Sequence, residues 1–118
     1  MATFGETIKQ WRLDLRLGLR ESSKQIGISA TYLSRLENNK ENPPQADKLV
    51  QIAKVYEKEK DEIFSLADRV PPDIEETYKK NKIYKEKLPE LMRTIAQQNL
   101  SSTEWDQLID DTKNRRKR

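Results

Sequence analysis

Gln25-Ile26-Gly27-Ile28-Ser29-Ala30-Thr31-Tyr32-Leu33-Ser34-Arg35-Leu36-Glu37 decides how the rest of this chain is read. Gly27 can take the left-handed backbone that stops a helix. Ser29, two residues on, carries a hydroxyl able to accept from an unpaired N–H in the turn that follows. Leu33 and Leu36 then give the following segment one apolar edge at helical spacing. The stretch predicts a short helix ending at Ile26, a tight turn opened by glycine, and another helix from Ala30 to about Asn38.

Upstream, Phe4, Ile8, Trp11 and Leu15 recur at i, i+4, i+7 and i+11 and so share one face of a first helix. Thr3 followed by Glu6 forms a capping-box pattern for its start. Gly18 is expected to end or bend that helix and to cap a second, Leu19 to Ile26. Downstream, Asn38-Asn39-Lys40-Glu41-Asn42-Pro43-Pro44 must be a loop, because consecutive prolines remove two backbone donors and disfavour helical geometry before them. Leu49, Ile52, Ala53 and Tyr56 mark a fourth helix from about Ala46 to Tyr56. Ile63, Phe64 and Leu66 mark a fifth from about Glu59 to Ala67, and the charge alternation of Glu57 to Glu62 reads as a solvated face and connection.

Composition bounds what these helices can belong to. At 118 residues, with 34% hydrophobic and 36% charged side chains and three glycines, the chain favours helices with one exposed face over a sheet sandwich. The fold class expected is all-α. The 23 basic and 20 acidic residues leave a net charge of only +3, so any attraction for nucleic acid must come from local placement. With neither Cys nor His there is no disulfide, thiol nucleophile, imidazole base or ordinary zinc site, and no carboxylate spacing pairs a nucleophile with a base. No catalytic residue, cofactor or metal is expected; Asp110-Asp111 has no further ligands nearby in sequence. No apolar run approaches the ~20 residues of a membrane helix, and residues 1–10 lack the apolar segment of a signal peptide. The expectation is a cytoplasmic protein that is not an enzyme.

These residues also carry a family resemblance. Ile8-Lys9-Gln10-Trp11-Arg12, Leu19-Arg20-Glu21, Ile26-Gly27-Ile28-Ser29, Tyr32-Leu33-Ser34-Arg35-Leu36-Glu37-Asn38, Asn42-Pro43-Pro44 and Leu49 to Ala53 together resemble the Cro/cI-type (XRE) helix-turn-helix regulators. The resemblance covers residues 1–67. It implies a five-helix, lambda-repressor-like domain that binds double-stranded operator DNA as a dimer, with the third helix in the major groove. Packing Leu33 and Leu36 inward leaves Ala30, Thr31, Ser34 and Arg35 as the face toward base edges. Arg35 can offer its guanidinium to guanine O6 and N7, and Thr31 can touch a thymine methyl or a phosphate. Arg20, Lys24, Ser29, Tyr32, Asn38, Asn39, Lys40 and Asn42 are expected at the sugar-phosphate strand, with packing against the loop the alternative for Tyr32. In this family an arginine matching Arg12 pairs with a glutamate matching Glu37, which implies a structural brace.

The chain departs from the family pattern in the second helix. Ser22-Ser23 stands where Leu-Ala is usual, which removes an aliphatic plug and adds two hydroxyls that need partners. A mid-helix serine can bond back to the carbonyl four residues earlier, and the bulk of Trp11, in place of leucine, can fill part of the gap. Arg16 replaces the glycine usual between the first two helices, and Glu57-Lys58 replaces the one between the fourth and fifth.

Residues 68–118 lie beyond the resemblance and read as a helical tail. Val70-Pro71-Pro72-Asp73 is a breaker followed by a helix start, with a sixth helix from about Asp73 to Asn81. Leu88, Leu91, Met92 and Ile95 mark a seventh from about Leu88 to Gln98, with Pro89 in its first turn. Ser101 and Glu104 form a capping box ahead of Trp105, Leu108 and Ile109. Such stripes bury little alone, so Leu88, Leu91, Met92, Ile95, Trp105, Leu108 and Ile109 are expected to hold a homodimer, or to dock on the first domain or a protein antagonist. The basic run Lys113 to Arg118 reads as a frayed, solvated end in preference to a phosphate-binding arm. Three functions fit: a sequence-specific regulator, foremost a repressor, encoded by a bacterium, phage or mobile element; an antitoxin that controls its own operon while its tail neutralises a toxin; and an adaptor without base readout.

Overall fold

The computed structural model describes residues 2–117, so Arg118 of the terminal basic run lies outside the described residues. Among those described the chain is all-helical: α1 Phe4–Asp14, α2 Leu19–Ile26, α3 Ala30–Glu37, α4 Ala46–Val55, α5 Lys60–Leu66, α6 Pro72–Lys80, α7 Lys82–Gln98 and α8 Ser102–Asn114. No described helix is long and apolar enough to cross a membrane. The chain divides into two compact units, Met1–Glu75 and Glu76–Arg118, a division that falls inside α6.

In the first unit α3 packs on both α1 and α2, while α4 packs on α2 and α5. Ile8, Ile26, Leu33, Leu36, Leu49, Ile52, Ile63 and Phe64 are sealed from solvent at this junction. Each such aliphatic or aromatic side chain contributes about 1.5–3 kcal/mol of burial free energy, an upper figure because unfolded chains already bury some surface. Leu15 does not join this face as its spacing predicts; it is exposed. The helix has already unwound there, and Leu17 packs against the core in its place.

Helices α1 to α5 end in closely similar ways. A left-handed residue closes each, the C-cap itself in α2 and the residue after the cap in the others, and the next amide reaches back to the carbonyl five residues earlier: Leu17 to Arg12 at 3.1 Å, Ile28 to Ser23 at 3.0 Å, Lys40 to Arg35 at 2.9 Å, Lys58 to Ala53 at 2.8 Å and Arg69 to Phe64 at 2.9 Å. Only one of the left-handed positions is glycine, Gly27 at φ 91°; the others are Arg16, Asn39, Glu57 and Asp68 at φ 55–58°. Arg16, not Gly18, therefore terminates α1. Gly18 sits at φ −73° as the N-cap of α2, a conformation open to any residue. The Thr3 capping box is half formed, since Thr3 Oγ1 accepts from Glu6 N–H at 3.1 Å. Nor is the charged run 57–62 merely solvated: Lys58 Nζ lies 5.4 Å from the Trp11 ring centroid, and Lys60 pairs with Asp73 at 3.4 Å.

The two serines of α2 separate in role. Ser23 Oγ donates to the Arg20 carbonyl at 2.9 Å, three residues back rather than four. Ser22 is fully buried beside Tyr56, and neither hydroxyl finds a partner at hydrogen-bonding geometry among the described residues. Burial raises the Tyr56 pKa above the ordinary tyrosine value; Ser22 acts to lower it, Glu37 adds to the rise and Arg12 opposes it.

In the second unit α7 begins at Lys82, not Leu88. Asn81 Oδ1 caps it by accepting from the amides of Ile83 at 3.0 Å and Tyr84 at 3.2 Å, which extends the helix upstream of the expected start. Pro89 consequently lies inside the helix, where its ring nitrogen cannot donate to the Lys85 carbonyl. Asn81, expected as the end of α6, opens α7 instead. The capping box of α8 is complete: Glu104 N–H donates to Ser101 Oγ at 3.2 Å and Ser101 N–H to Glu104 Oε1 at 3.1 Å. Asp110 and Asp111 are exposed on α8, each accepting from an amide side chain, of Asn114 and Gln107 respectively. No residue of α6, α7 or α8 is buried.

Replacing both unsatisfied hydroxyls removes their desolvation penalty at once. Ser22→Ala/Tyr56→Phe is expected to match or exceed the parent stability by up to about 2 kcal/mol in urea unfolding. Because folding raises the Tyr56 pKa, the folded state keeps this proton more firmly than the unfolded chain. The associated stability is complete below about pH 10 and declines as pH rises beyond it. Tyr56→Phe should flatten that alkaline decline, and an unchanged alkaline profile would contradict the assignment.

Candidate nucleic-acid interface

Helix α3 is fixed at both ends. At its start Ser29 Oγ accepts from Tyr32 N–H at 3.0 Å, satisfying one of the orphan donors of the first turn. At its end Asn39 holds the left-handed position, and its side chain crosses to the N-terminus of α1. Asn39 Oδ1 accepts from Gly5 N–H at 3.1 Å, and Asn39 Nδ2 donates to Thr3 Oγ1 at 2.8 Å. Gly5 makes this approach possible. A Cβ there would collide with the Leu36 carbonyl oxygen and lie 2.7 Å from those of Glu37 and the Asn39 side chain.

In the last turn of α3, Arg12 of α1 clamps Glu37. Its Nε donates to Glu37 Oε2 at 2.7 Å and its Nη2 to Oε1 at 2.9 Å, a bidentate fork, while Nη1 donates to the Leu17 carbonyl at 2.9 Å. The two side chains are 10% and 4% exposed, so solvent does little to screen the pair. The hydrogen bond to Glu37 raises the Arg12 pKa above its already high ordinary value, with burial acting in the opposite direction.

With Leu33 and Leu36 buried, the opposite face of α3 presents Thr31 and Arg35 to solvent and leaves Ala30 and Ser34 half-buried. Arg35 is not idle. Its Nε donates to Glu41 Oε1 at 2.9 Å and its Nη2 to the Lys40 carbonyl at 3.3 Å. Arg20 and Lys24 stand one turn apart and exposed on α2, and Lys40 and Asn42 are exposed on the loop after α3. Ser29 is engaged as a cap, Asn38 Nδ2 donates to the Ser34 carbonyl at 2.8 Å, and Asn39 is spent on α1. Tyr32 is half-buried and packs against the core.

Two residues that the sequence reading passed over belong to this surface. Glu41 grips Arg35, and Lys48 of α4 brings its Nζ within 3.4 Å of where a Gly27 Cβ would stand, beside the turn before α3. Neither has a local signal, because tertiary packing alone places them. Residues 1–75 carry twelve basic and thirteen acidic side chains, against eleven and seven in 76–118. The α3 surface therefore owes any attraction for phosphate to where its cations stand, and not to net charge.

A family model described as a helix-turn-helix domain matches residues 5–69. A chain of the solved SinR protein/SinI protein complex is similar in fold, with a TM-score of 0.50 and 22% identity over 98% of this chain and 100% of that one. No curated protein matches the chain.

The Arg12–Glu37 fork makes a quantitative expectation. Arg12→Ala or Glu37→Ala alone leaves a buried charge without its partner and should cost about 3–5 kcal/mol. The double variant should cost clearly less than the sum, with a coupling of about 1–3 kcal/mol by denaturant unfolding. Additive losses would mean that the two charges do not depend on one another.

Proposed function

Because the chain belongs to the helix-turn-helix domain family, a class of DNA-binding transcriptional regulators, we propose that it is a sequence-specific repressor acting as a homodimer. The observation that carries this reading is the pose of α3: leucines inward, Thr31 and Arg35 outward, on a helix capped at its start and held at its end by the Arg12–Glu37 fork and by Asn39. Such a helix can enter the major groove without reorganising. Arg35 and Thr31 then address base edges with Ala30 and Ser34 beside them. Arg20, Lys24, Lys40 and Asn42 meet phosphates on either side, joined by Lys48 near the turn. Asn39 is withdrawn from that set and Tyr32 contributes mainly by packing. Occupancy of an operator suffices for repression, which needs no further surface.

The tail supports the dimer. Leu91 and Met92 of α7 are 52% and 62% exposed, and Trp105, Leu108 and Ile109 of α8 are 44%, 37% and 49% exposed. Apolar side chains on this scale, recurring at helical spacing, want a partner surface. A second copy is the simplest one, and it sets two α3 helices at half-sites ~34–36 Å apart. A second reading keeps the DNA-binding half and gives the tail to a different protein, an antagonist or a toxin. It is favoured by the same exposed faces and by the similar chain having been solved in a complex of two proteins.

Two measurements bear on this. Affinity for a selected duplex should fall at least about tenfold between 50 and 200 mM salt. Arg35→Ala should reduce the ratio of specific to random-sequence binding by about 5- to 150-fold, the equivalent of ~1–3 kcal/mol. Equal binding to all duplexes would remove the regulator reading. For the tail, Leu91→Glu/Trp105→Glu should convert a dimer at about tens of micromolar to a monomer in sedimentation, and weaken operator binding by an order of magnitude or more as the avidity of two half-sites is lost. A parent protein that sediments as a monomer, or co-purifies with a partner, transfers the tail to the second reading.

A further inference from the structure

Arg35 offers a fork of five N–H donors, and the structure shows which of them are in use. Nε is taken by Glu41 Oε1 at 2.9 Å, and one hydrogen of Nη2 by the Lys40 carbonyl at 3.3 Å. Nη1 has no partner among the described residues. One edge of the guanidinium is thus occupied, while the end that carries Nη1 and the second hydrogen of Nη2 stays open. That open end is the pair of donors that meets guanine O6 and N7 end-on.

Glu41 itself sits on a loop fixed at both ends. The left-handed turn at Asn39 closes it onto α3. At the far side Arg69 Nη1 donates to the carbonyl of the buried Pro44 at 2.7 Å. The carboxylate therefore occupies a set position relative to α3. At 49% and 40% exposure, the pair contributes little to folding. Its value lies elsewhere: a free arginine must surrender several rotors on binding, and one held in plane by a carboxylate has already done so.

We infer that Glu41 is a positioning residue for base readout, holding the Arg35 guanidinium in the plane in which its open end engages a guanine. This rests on the reading of α3 as the helix that enters the major groove. The carboxylate also opposes non-specific binding, since it places a negative charge near the phosphates and cancels part of the Arg35 attraction for them. Glu41 thereby raises the ratio of specific to non-specific affinity from both sides.

Selection of sites from random duplexes, with full-length parent protein, Arg35→Ala, Glu41→Ala and Glu41→Gln, tests this position by position. Thermal melts confirm that each variant is folded. Glu41→Ala should lower the preference for guanine at the base pair that Arg35→Ala flattens, by about 3- to 10-fold. Random-sequence binding should stay equal or strengthen. Glu41→Gln, which keeps an acceptor for Nε, should recover part of that preference. An unchanged profile, a loss at a different base pair, or tighter specific binding with the preference intact would overturn the inference, the last by showing that Glu41 sequesters Arg35. A parent that selects no site, or an Arg35→Ala profile identical to the parent's, removes the α3 reading itself and this inference with it.

Discussion

A guanidinium and a carboxylate buried together between two helices set the pose of α3. Charges removed from water are tolerated when they are paired and hydrogen-bonded, and Arg12 gives two N–H groups to Glu37 and one to the Leu17 carbonyl. Few arrangements of α1 and α3 satisfy all three bonds. The fork thus selects one rotation of α3 about its axis, and that rotation decides which residues stand outward. Leu33 and Leu36 drive the helix into the core but tolerate small slips, as apolar contacts do. The directional bonds of the fork and of Asn39 are less forgiving.

How far this could be read from the chain differs from residue to residue. Helix phase was legible wherever large apolar side chains recur, as at Ile8 and Trp11 or Leu49 and Ile52, because burial is non-directional and spacing alone carries the information. Breaks were legible where chemistry leaves no choice, at Gly27 and at Pro43-Pro44. The end of α1 was not. Arg16 takes a conformation that its side chain disfavours, and only the backbone bonds of the finished turn show why. The start of α7 is hidden for a related reason: asparagine serves at either end of a helix, and Pro89, a residue ordinarily confined to the first turn, sits here in the interior.

The surface around α3 shows the same limit more sharply. A sequence reading can say that Asn39 and Arg35 carry donors, but it cannot say that those donors are already engaged. Asn39 is committed to Thr3 and Gly5, and Arg35 is partly committed to Glu41, residues on other segments or on a loop. The two halves of the molecule divide their labour in a similar way. The first unit is close to neutral and well packed, whereas the second is basic and leaves its apolar stripes open.

Gly5 carries a consequence for anyone searching this protein by random mutagenesis. It lies on α1, away from the outward face of α3, and has no side chain to lose, yet any side chain gained there drives the Leu36 carbonyl away. The displacement falls on the last turn of α3, beside Glu37 and Asn39. A substitution at Gly5 would therefore disturb the seating of α3 without altering a residue of its outward face. Compensating changes would be sought in vain on that face, because the lesion is one of clearance between two backbones.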